Sequence, residues 1–230
     1  PKSYRWSFFV AVLAALLYSQ LNQCTTKYLP SWLTINLLIS PYFGPISTWA
    51  EIYNCDVIWD IHKNYNKQSY RNRTFIHSAN GVQKLTVPIK HSLIKFTLND
   101  SYIDNSTNWQ QIHWKSIKIA YSSSPYFEFY KDSLEVFFSK KYIKLLDLNM
   151  NTIKMVSEWL EMDLNNDFSK KYVEDYNTKF DLRNLIEHKN KTKKLIQNYT
   201  QVFSNKNGFI NDLSIIDLIF NEGPNSLSFL

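Results

Sequence analysis

The sequence predicts an α/β fold, with a small mixed sheet in the N-terminal half and a helical C-terminal half. Three observations predict it. Short apolar runs at residues 35–40 and 56–61 flank a helical stretch, an Asn-Gly pair separates two alternating runs near residue 80, and helical spacing dominates from residue 108 onward. The first observation indicates a βαβ start with two adjacent parallel strands, and the second indicates a hairpin.

The elements of the sheet follow in order. We expect strands at 35–40 and 56–61, joined by a helix at 46–54 whose first turn is favoured by Pro45. The hairpin strands are expected at 74–77 and 83–89, and a further strand at 93–98 or 94–97.

The helical half has recognisable start signals. Thr107 followed three positions later by Gln110 predicts a capping box for a helix at 108–121, and Ser124 before Pro125 predicts the N-cap and first residue of a helix at 125–139. Further helices are expected at 141–146, 149–160, 182–188 and 212–220.

The chain of 230 residues, 44% of them hydrophobic, is long enough for one good core, which we expect in a single domain over 35–230. Residues 1–34 form an N-terminal extension in which Lys2 and Arg5 precede a short apolar block. That outline is typical of a signal peptide. The alternatives are a membrane anchor through residues 6–21, a helix packed on the domain, and a misassigned start codon. We expect the protein in the cytoplasm or attached to the inner membrane.

A net charge of +6 and a pI near 9.1 favour anionic partners. The basic residues are scattered, which argues against dedicated nucleic-acid binding, a carrier RNA excepted. The sequence has no Gly-rich phosphate loop, GxSxG elbow, HExxH motif or zinc-type cluster, and Cys24 and Cys55 form no metal spacing. We therefore expect no cofactor and no metal.

The strongest candidate for a binding site is the polar stretch 64–73, which we expect at the end of the second strand. Two of the four arginines of the chain, Arg71 and Arg73, lie within it, and arginine offers a planar fork suited to phosphate or carboxylate. The stretch contributes seven candidate substrate-binding residues: Asn64, Tyr65, Lys67, Tyr70, Arg71, Asn72 and Arg73. The alternative is that the arginines pair with acidic side chains or helix ends.

A second candidate group is on the predicted helix 108–121. His113 is three residues after Gln110, so the amide could orient the imidazole as a general base. Trp114 would offer a ring for stacking, and Gln110, Trp114 and Lys115 are further binding candidates. The alternative is a half-buried histidine bonded to the backbone.

A third group closes the chain. Gly223 and Pro224 are explained by helix termination, but Glu222 has the wrong charge for a helix C-terminus. Asn221 and Glu222 are therefore binding candidates, with pairing of Glu222 to Arg71 or Arg73 as the structural alternative.

Seven motifs resemble those of the WbqC-like family, in the form common in Bacteroidetes-type bacteria, from about residue 36 to 230. They are Pro41-Tyr42-Phe43-x-Pro45, Asn64-Tyr65-x-Lys67-Gln68-Ser69-Tyr70-Arg71-Asn72-Arg73, Ala79-Asn80-Gly81, Leu85-Thr86-Val87-Pro88, Trp109-Gln110-x-x-His113-Trp114-Lys115-Ser116, Ala120-Tyr121-x-Ser123-Ser124-Pro125 and Phe220-Asn221-Glu222-Gly223-Pro224.

The resemblance implies a role in O-antigen or other surface-polysaccharide biosynthesis. Members of the family are proposed to attach an aminoacyl group, glycine in particular, to an amino sugar on a nucleotide carrier. The expected function is therefore a transferase whose partners are a nucleotide-linked sugar and an aminoacyl donor. The alternative is a non-catalytic binding or scaffold protein of an envelope-biosynthesis assembly.

Overall fold

The computed structural model describes residues 35–90, 95–164, 167–172, 181–187 and 196–230. Strand β1 (Ile35–Leu38), helix α1 (Ile46–Asn54) and strand β2 (Asp56–Trp59) form the expected βαβ unit. The two strands are parallel, in register from Ile35↔Asp56 to Leu38↔Trp59. Strand β5 (Asp167–Phe168), which the sequence did not predict, adds in parallel beside β2. The predicted fold class is confirmed.

A hairpin of β3 (Arg73–Ser78) and β4 (Gly81–Thr86) forms a second, two-stranded antiparallel sheet. Its register runs from Arg73↔Thr86 to Ser78↔Gly81, so the two-residue turn is Ala79-Asn80 and the strands begin earlier than predicted. Gly81 has a φ of +91°, a region that favours glycine.

The strand expected at 93–98 does not form within its described residues, 95–98. The backbone there instead turns around Thr97, which makes an isolated bridge to Asn64. The Leu98 amide donates to the Lys63 carbonyl, and the Phe96 carbonyl accepts from Tyr65. The segment therefore folds back on the loop that follows β2 and pairs with no strand.

Three helices follow: α2 (Trp109–Tyr121), α3 (Phe127–Ser139) and α4 (Leu145–Trp159). The separate helices expected at 141–146 and 149–160 are wrong, because α4 is continuous and begins only at Leu145. Residues Ile143 and Lys144 are extended, since Ile143 accepts a backbone hydrogen bond from Ile103 and Lys144 bridges Tyr102.

Both predicted N-caps are wrong. The N-cap of α2 is Asn108, without a side-chain hydrogen bond, and the Gln110 amide donates elsewhere. The Ser124 hydroxyl donates to the Tyr121 carbonyl and so closes the end of α2, which leaves Tyr126 as the N-cap of α3.

The C-terminal part contains a 3-10 helix (Arg183–Ile186), a short helix α5 (Ser204–Asn207), helix α6 (Ile215–Glu222) and a 3-10 helix (Gly223–Phe229). Every residue of α6 from Ile215 to Asn221 is buried, and α6 packs against α1, α3 and β3. A helix that is enclosed on all sides is the centre of a core. The helix expected at 212–220 thus exists but begins at Ile215.

Candidate functional site

The chain crosses the carboxyl edge of the parallel sheet directly after β2, where open α/β sheets bind ligands. Asp60, 1% exposed, organises this crossing. Its Oδ1 accepts the backbone amides of His62 at 2.9 Å and Lys63 at 3.2 Å, and its Oδ2 accepts from Arg183 Nη1 at 2.8 Å. The loop after β2 is therefore fixed to the 3-10 helix that carries Arg183.

Arg183 shows how this edge satisfies a buried guanidinium. Its Nε donates to Asp181 Oδ1 at 2.9 Å, and its Nη2 donates to Asp181 Oδ2 at 2.6 Å. Its Nη1 donates to Asp60 Oδ2. The Nε–H and Nη2–H bonds are parallel and form a two-pronged donor, here called the fork, so one carboxylate accepts from both. These hydrogen bonds, led by the one to Asp181, raise the pKa of Arg183 against the opposing effect of burial.

Arg71 differs from Arg183 at that same fork. Its side chain is 0% exposed, and its Nη1 donates to Glu187 Oε1 at 2.8 Å. Its Nε and Nη2 have no hydrogen-bond partner among the described residues. Leaving buried donors of a charged group unpaired costs free energy. The empty fork has the geometry that Arg183 uses to hold a carboxylate, so it suits a carboxylate or phosphate.

Arg73 and Tyr65 lie near this fork. Arg73 is half-buried, and its Nε also has no partner within the described part of the chain. Burial raises the pKa of Tyr65 to about 12, and the positive charges of Arg73 and Arg71 oppose that shift. Both guanidinium groups are thus close enough to act on one phenol, which is stacked on Phe96 with 5.2 Å between ring centres.

Lys63 is a cation of this edge that sequence reasoning missed. Burial lowers its pKa, and the charges of Arg183 and Arg71 lower it further, against the effects of Asp181 and Glu187. The sequence signal that could have identified Lys63 was its position, four residues after the last residue of β2 and directly before the predicted polar stretch. We name Lys63, Arg71 and Arg73 the cation edge.

The rest of the polar stretch divides between surface and core. Asn64 and Lys67 are exposed. Tyr70 is 5% exposed. Its backbone amide donates to the Ile186 carbonyl, and its backbone carbonyl accepts from the Tyr42 amide. Asn72 donates from Nδ2 to the Val87 carbonyl, and its Oδ1 has no partner among the residues described.

His113 lies in the core, 3% exposed. The Tyr42 hydroxyl is 2.9 Å from its Nδ1, and the Thr86 backbone also hydrogen-bonds the ring. Burial lowers the pKa of His113 to about 4, against the Thr86 hydrogen bond, so the ring is neutral at pH 7. With Thr86 as acceptor, the imidazole receives the Tyr42 proton at Nδ1. This matches the alternative of a backbone-bonded histidine, and the general-base role stays a prediction.

Trp109 packs edge-on against the His113 ring, with 5.2 Å between ring centres, but Gln110 does not contact that ring. The Gln110 amide donates to the carbonyls of Phe138 and Lys140 at the end of α3, so the expected orientation of His113 by Gln110 is wrong. Half-buried Trp114 packs on Phe127 and Phe138, and Lys115 is exposed.

Asn221 and Glu222 lie at the end of α6. The Asn221 amide donates to the Asp217 carbonyl, and Glu222 Oε1 accepts the Thr200 amide at 3.2 Å. The suggested ion pair of Glu222 with Arg71 or Arg73 is wrong, because the carboxylate beside Arg71 is Glu187. Within the described ranges, no hydrogen bond or ion pair joins either His113 or Glu222 to the two arginines.

A buried carboxyl group on α6 also escaped sequence reasoning. Asp217 is 0% exposed, and accepts from Tyr121 at 2.6 Å, Tyr199 at 2.5 Å and Gln201 at 3.3 Å. Burial raises its pKa to about 6, although the three hydrogen bonds lower it. Its only sequence signal was an acidic residue within an otherwise apolar helix.

Among the described residues, no group of three or more His, Cys, Asp or Glu side chains is placed to hold a metal ion. The helices of those residues are all too short or too polar to cross a membrane. The predicted membrane contact through residues 6–21 lies outside the described residues, as does the rest of the extension 1–34.

Comparison with known proteins gives one family and one relative. The family model described as the WbqC-like protein family matches residues 40–195. The chain is 28% identical over 102 residues to the uncharacterized protein Rv1507c of Mycobacterium tuberculosis, a match that covers 42% of this chain and 42% of the relative. This match therefore spans less than half of that relative's length. No solved structure matches.

Proposed function

The chain belongs to the WbqC-like protein family, and from that premise we propose a transferase of surface-polysaccharide biosynthesis. The proposed reaction passes an aminoacyl group, glycyl in its simplest form, to the amine of a nucleotide-linked amino sugar. The sugar nitrogen attacks the acyl carbon, an amide bond forms, and the ester or thioester bond to the donor's carrier breaks. The proton lost by the nitrogen ends on the released oxygen or sulfur of the carrier.

One observation carries the proposal: the empty fork of Arg71 at the carboxyl edge of the parallel sheet. The diphosphate of a nucleotide sugar offers paired oxygens that the Nε–H and Nη2–H donors would bind side by side. Arg73 and Lys63 add positive charge there, and an overall charge of +6 favours approach of an anion.

Two side chains are candidates for the proton acceptor. His113, predicted from sequence, is neutral but has its Nδ1 engaged by Tyr42, so it accepts a proton only if that hydroxyl moves away. Lys63 belongs to the cation edge itself, and its lowered pKa enriches the neutral amine that accepts protons. A pH–rate profile of Lys63→Met beside one of His113→Asn separates the two.

A second candidate function is a non-catalytic binding or scaffold protein of an envelope-biosynthesis assembly. The observation that favours it is burial. Arg71 is 0% exposed and His113 is 3% exposed, and each is held by a protein partner, Glu187 and Tyr42 respectively. In this role the fork of Arg71 takes an internal anion or water, and no transfer occurs.

The test begins with thermal unfolding in the presence of nucleotide-linked amino sugars. A ligand at 100 times its dissociation constant stabilises the fold by about 2.7 kcal/mol. We expect Arg71→Lys to weaken that binding at least tenfold, because lysine cannot make the two-pronged contact. The exposed Lys206→Ala serves as a control and should bind as the wild type does.

Isotope-labelled glycine on an activated carrier then separates the two functions. Label in the amino-sugar product supports the transferase. Binding of the nucleotide sugar without label supports the scaffold, and equal affinity of Arg71→Lys and wild type contradicts the anion clamp.

A further inference from the structure

A cleft of about 540 Å³ opens between the start of α2 and the end of α3. Its walls come from residues 105–114 on one side and 135–141 on the other, and none belongs to the cation edge. Clefts of this size hold small organic ligands. The proposed transfer reaction assigns no role to this cleft.

The walls of the cleft are already fixed. Asn105 Nδ2 donates to the Tyr142 carbonyl, and Asn105 Oδ1 accepts a hydrogen bond from Trp109 Nε1. The Gln110 amide donates to two carbonyls at the end of α3. These contacts join the two helix ends, so the cleft exists before a ligand arrives, which favours binding by a preorganised site.

Three polar side chains of the cleft are neutral and make no hydrogen bond among the described residues. Thr107, Asn108 and Gln111 are exposed, and their side chains make no hydrogen bond within the described part of the chain. Asn108 is the N-cap of α2 yet forms no side-chain cap bond. The two charged residues of the lining, Glu135 and Lys141, cancel in sign. Amide and hydroxyl groups both donate and accept, which matches a ligand that carries many hydroxyls and no net charge.

Two aromatic rings complete the lining. Trp114 is half-buried and stacks at 28° on Phe138, with 6.3 Å between ring centres. Its indole N–H has no hydrogen-bond partner among the described residues and can donate to a ligand. A pyranose ring offers apolar C–H faces to aromatic carbon and hydroxyls to neutral amides. We propose that this cleft binds a neutral saccharide of one or two pyranose rings, whether or not the cation edge binds a nucleotide sugar.

Saturation-transfer NMR with glucose, N-acetylglucosamine and cellobiose tests the proposal on the full chain. We expect transfer to the pyranose protons of at least one sugar, with a dissociation constant in the millimolar range or below. Gln111 is exposed, so Gln111→Ala should leave the fold intact. This variant should bind the sugar at least threefold more weakly. Trp114→Ala should abolish it, and Trp114→Phe, which keeps a ring but loses the N–H, should retain part of it.

Gln197→Ala is the matched control, since Gln197 is exposed and lies outside the lining. It should bind the sugar as the wild type does. No transfer to any of the three sugars at 100 mM would overturn the proposal. Equal affinity of Gln111→Ala and Gln197→Ala would place the sugar elsewhere on the protein and overturn it as well.

Discussion

The hydroxyl of Tyr42 lies 2.9 Å from Nδ1 of His113, a contact between residues 71 positions apart that joins the loop after β1 to helix α2. Both side chains are buried, at 0% and 3% exposure. The contact brings together two of the motifs by which the sequence resembles its family, and it holds the histidine as a neutral acceptor.

Replacing Tyr42 by phenylalanine should lower the free energy of unfolding by about 1–2 kcal/mol, because the substitution leaves a buried ring nitrogen without its donor. Urea denaturation measures the change. Tyr102→Phe is the control: its ring is 44% exposed, and the loss should stay within about 0.5 kcal/mol. Equal small effects in both variants would show that the contact contributes nothing to stability.

The pH dependence of stability should reflect two buried groups of opposite sign. His113 has a folded pKa of about 4 and an ordinary value of 6.5, so the unfolded chain binds the extra proton and stability is lost as pH falls through that window. Asp217 has a folded pKa of about 6 and an ordinary value of 3.8, so its contribution is present at low pH and lost as pH rises.

Between pH 4 and 6 the contributions of His113 and Asp217 therefore oppose each other. Their sum should leave the free energy of unfolding of the wild type nearly independent of pH in that range. Asp217→Asn removes one of them. Relative to the wild type, the free energy of unfolding of that variant should fall by up to about 1.4 kcal/mol per pH unit as pH falls from about 6 to 3.8. Denaturant titrations at half-unit steps of pH measure it. Parallel curves for the two proteins would contradict the assignment.

Asn149 on α4 should be a large single contributor to stability. It is 0% exposed, and its Nδ2 donates to the carbonyls of Ser40 at 2.8 Å and Arg71 at 2.9 Å. Asn149→Ala leaves two buried carbonyls without that donor and should cost about 2–4 kcal/mol. Asn151→Ala on the exposed side of the same helix should cost less than about 0.5 kcal/mol. Urea midpoints that do not separate the two variants would sink this prediction.

Gly223 should not tolerate a side chain. Its φ is +54°, and a Cβ there would stand 2.5 Å from the Tyr126 ring. Gly223→Ala adds this clash to backbone strain, and we expect a loss of at least about 2 kcal/mol. Gly208 also has a positive φ of +73°, and no atom of the described residues lies within 4 Å of the added Cβ. Thermal denaturation should therefore show a larger loss for Gly223→Ala than for Gly208→Ala, and the reverse order would contradict the role of the ring.

The local pattern of the sequence was enough for the βαβ unit, the hairpin and most helices. Helix α1 has the predicted bounds, since Pro45 and the apolar spacing after it act within one helical turn. Strand β5 escaped prediction because a two-residue strand has no periodicity, and its pairing with β2 joins residues 109 positions apart.

The sequence by itself determined that arginine is scarce and concentrated in one polar stretch at the end of a parallel strand. Only the tertiary structure decided what the guanidinium groups of Arg71 and Arg183 contact. Asp181 fills the fork of Arg183 from two residues away, whereas Glu187, 116 positions from Arg71, reaches only one nitrogen of that residue. Hydrogen bonds act over about 3 Å, so partners that distant in the chain are selected by the fold. No local pattern could have shown which fork finds no partner among the described residues.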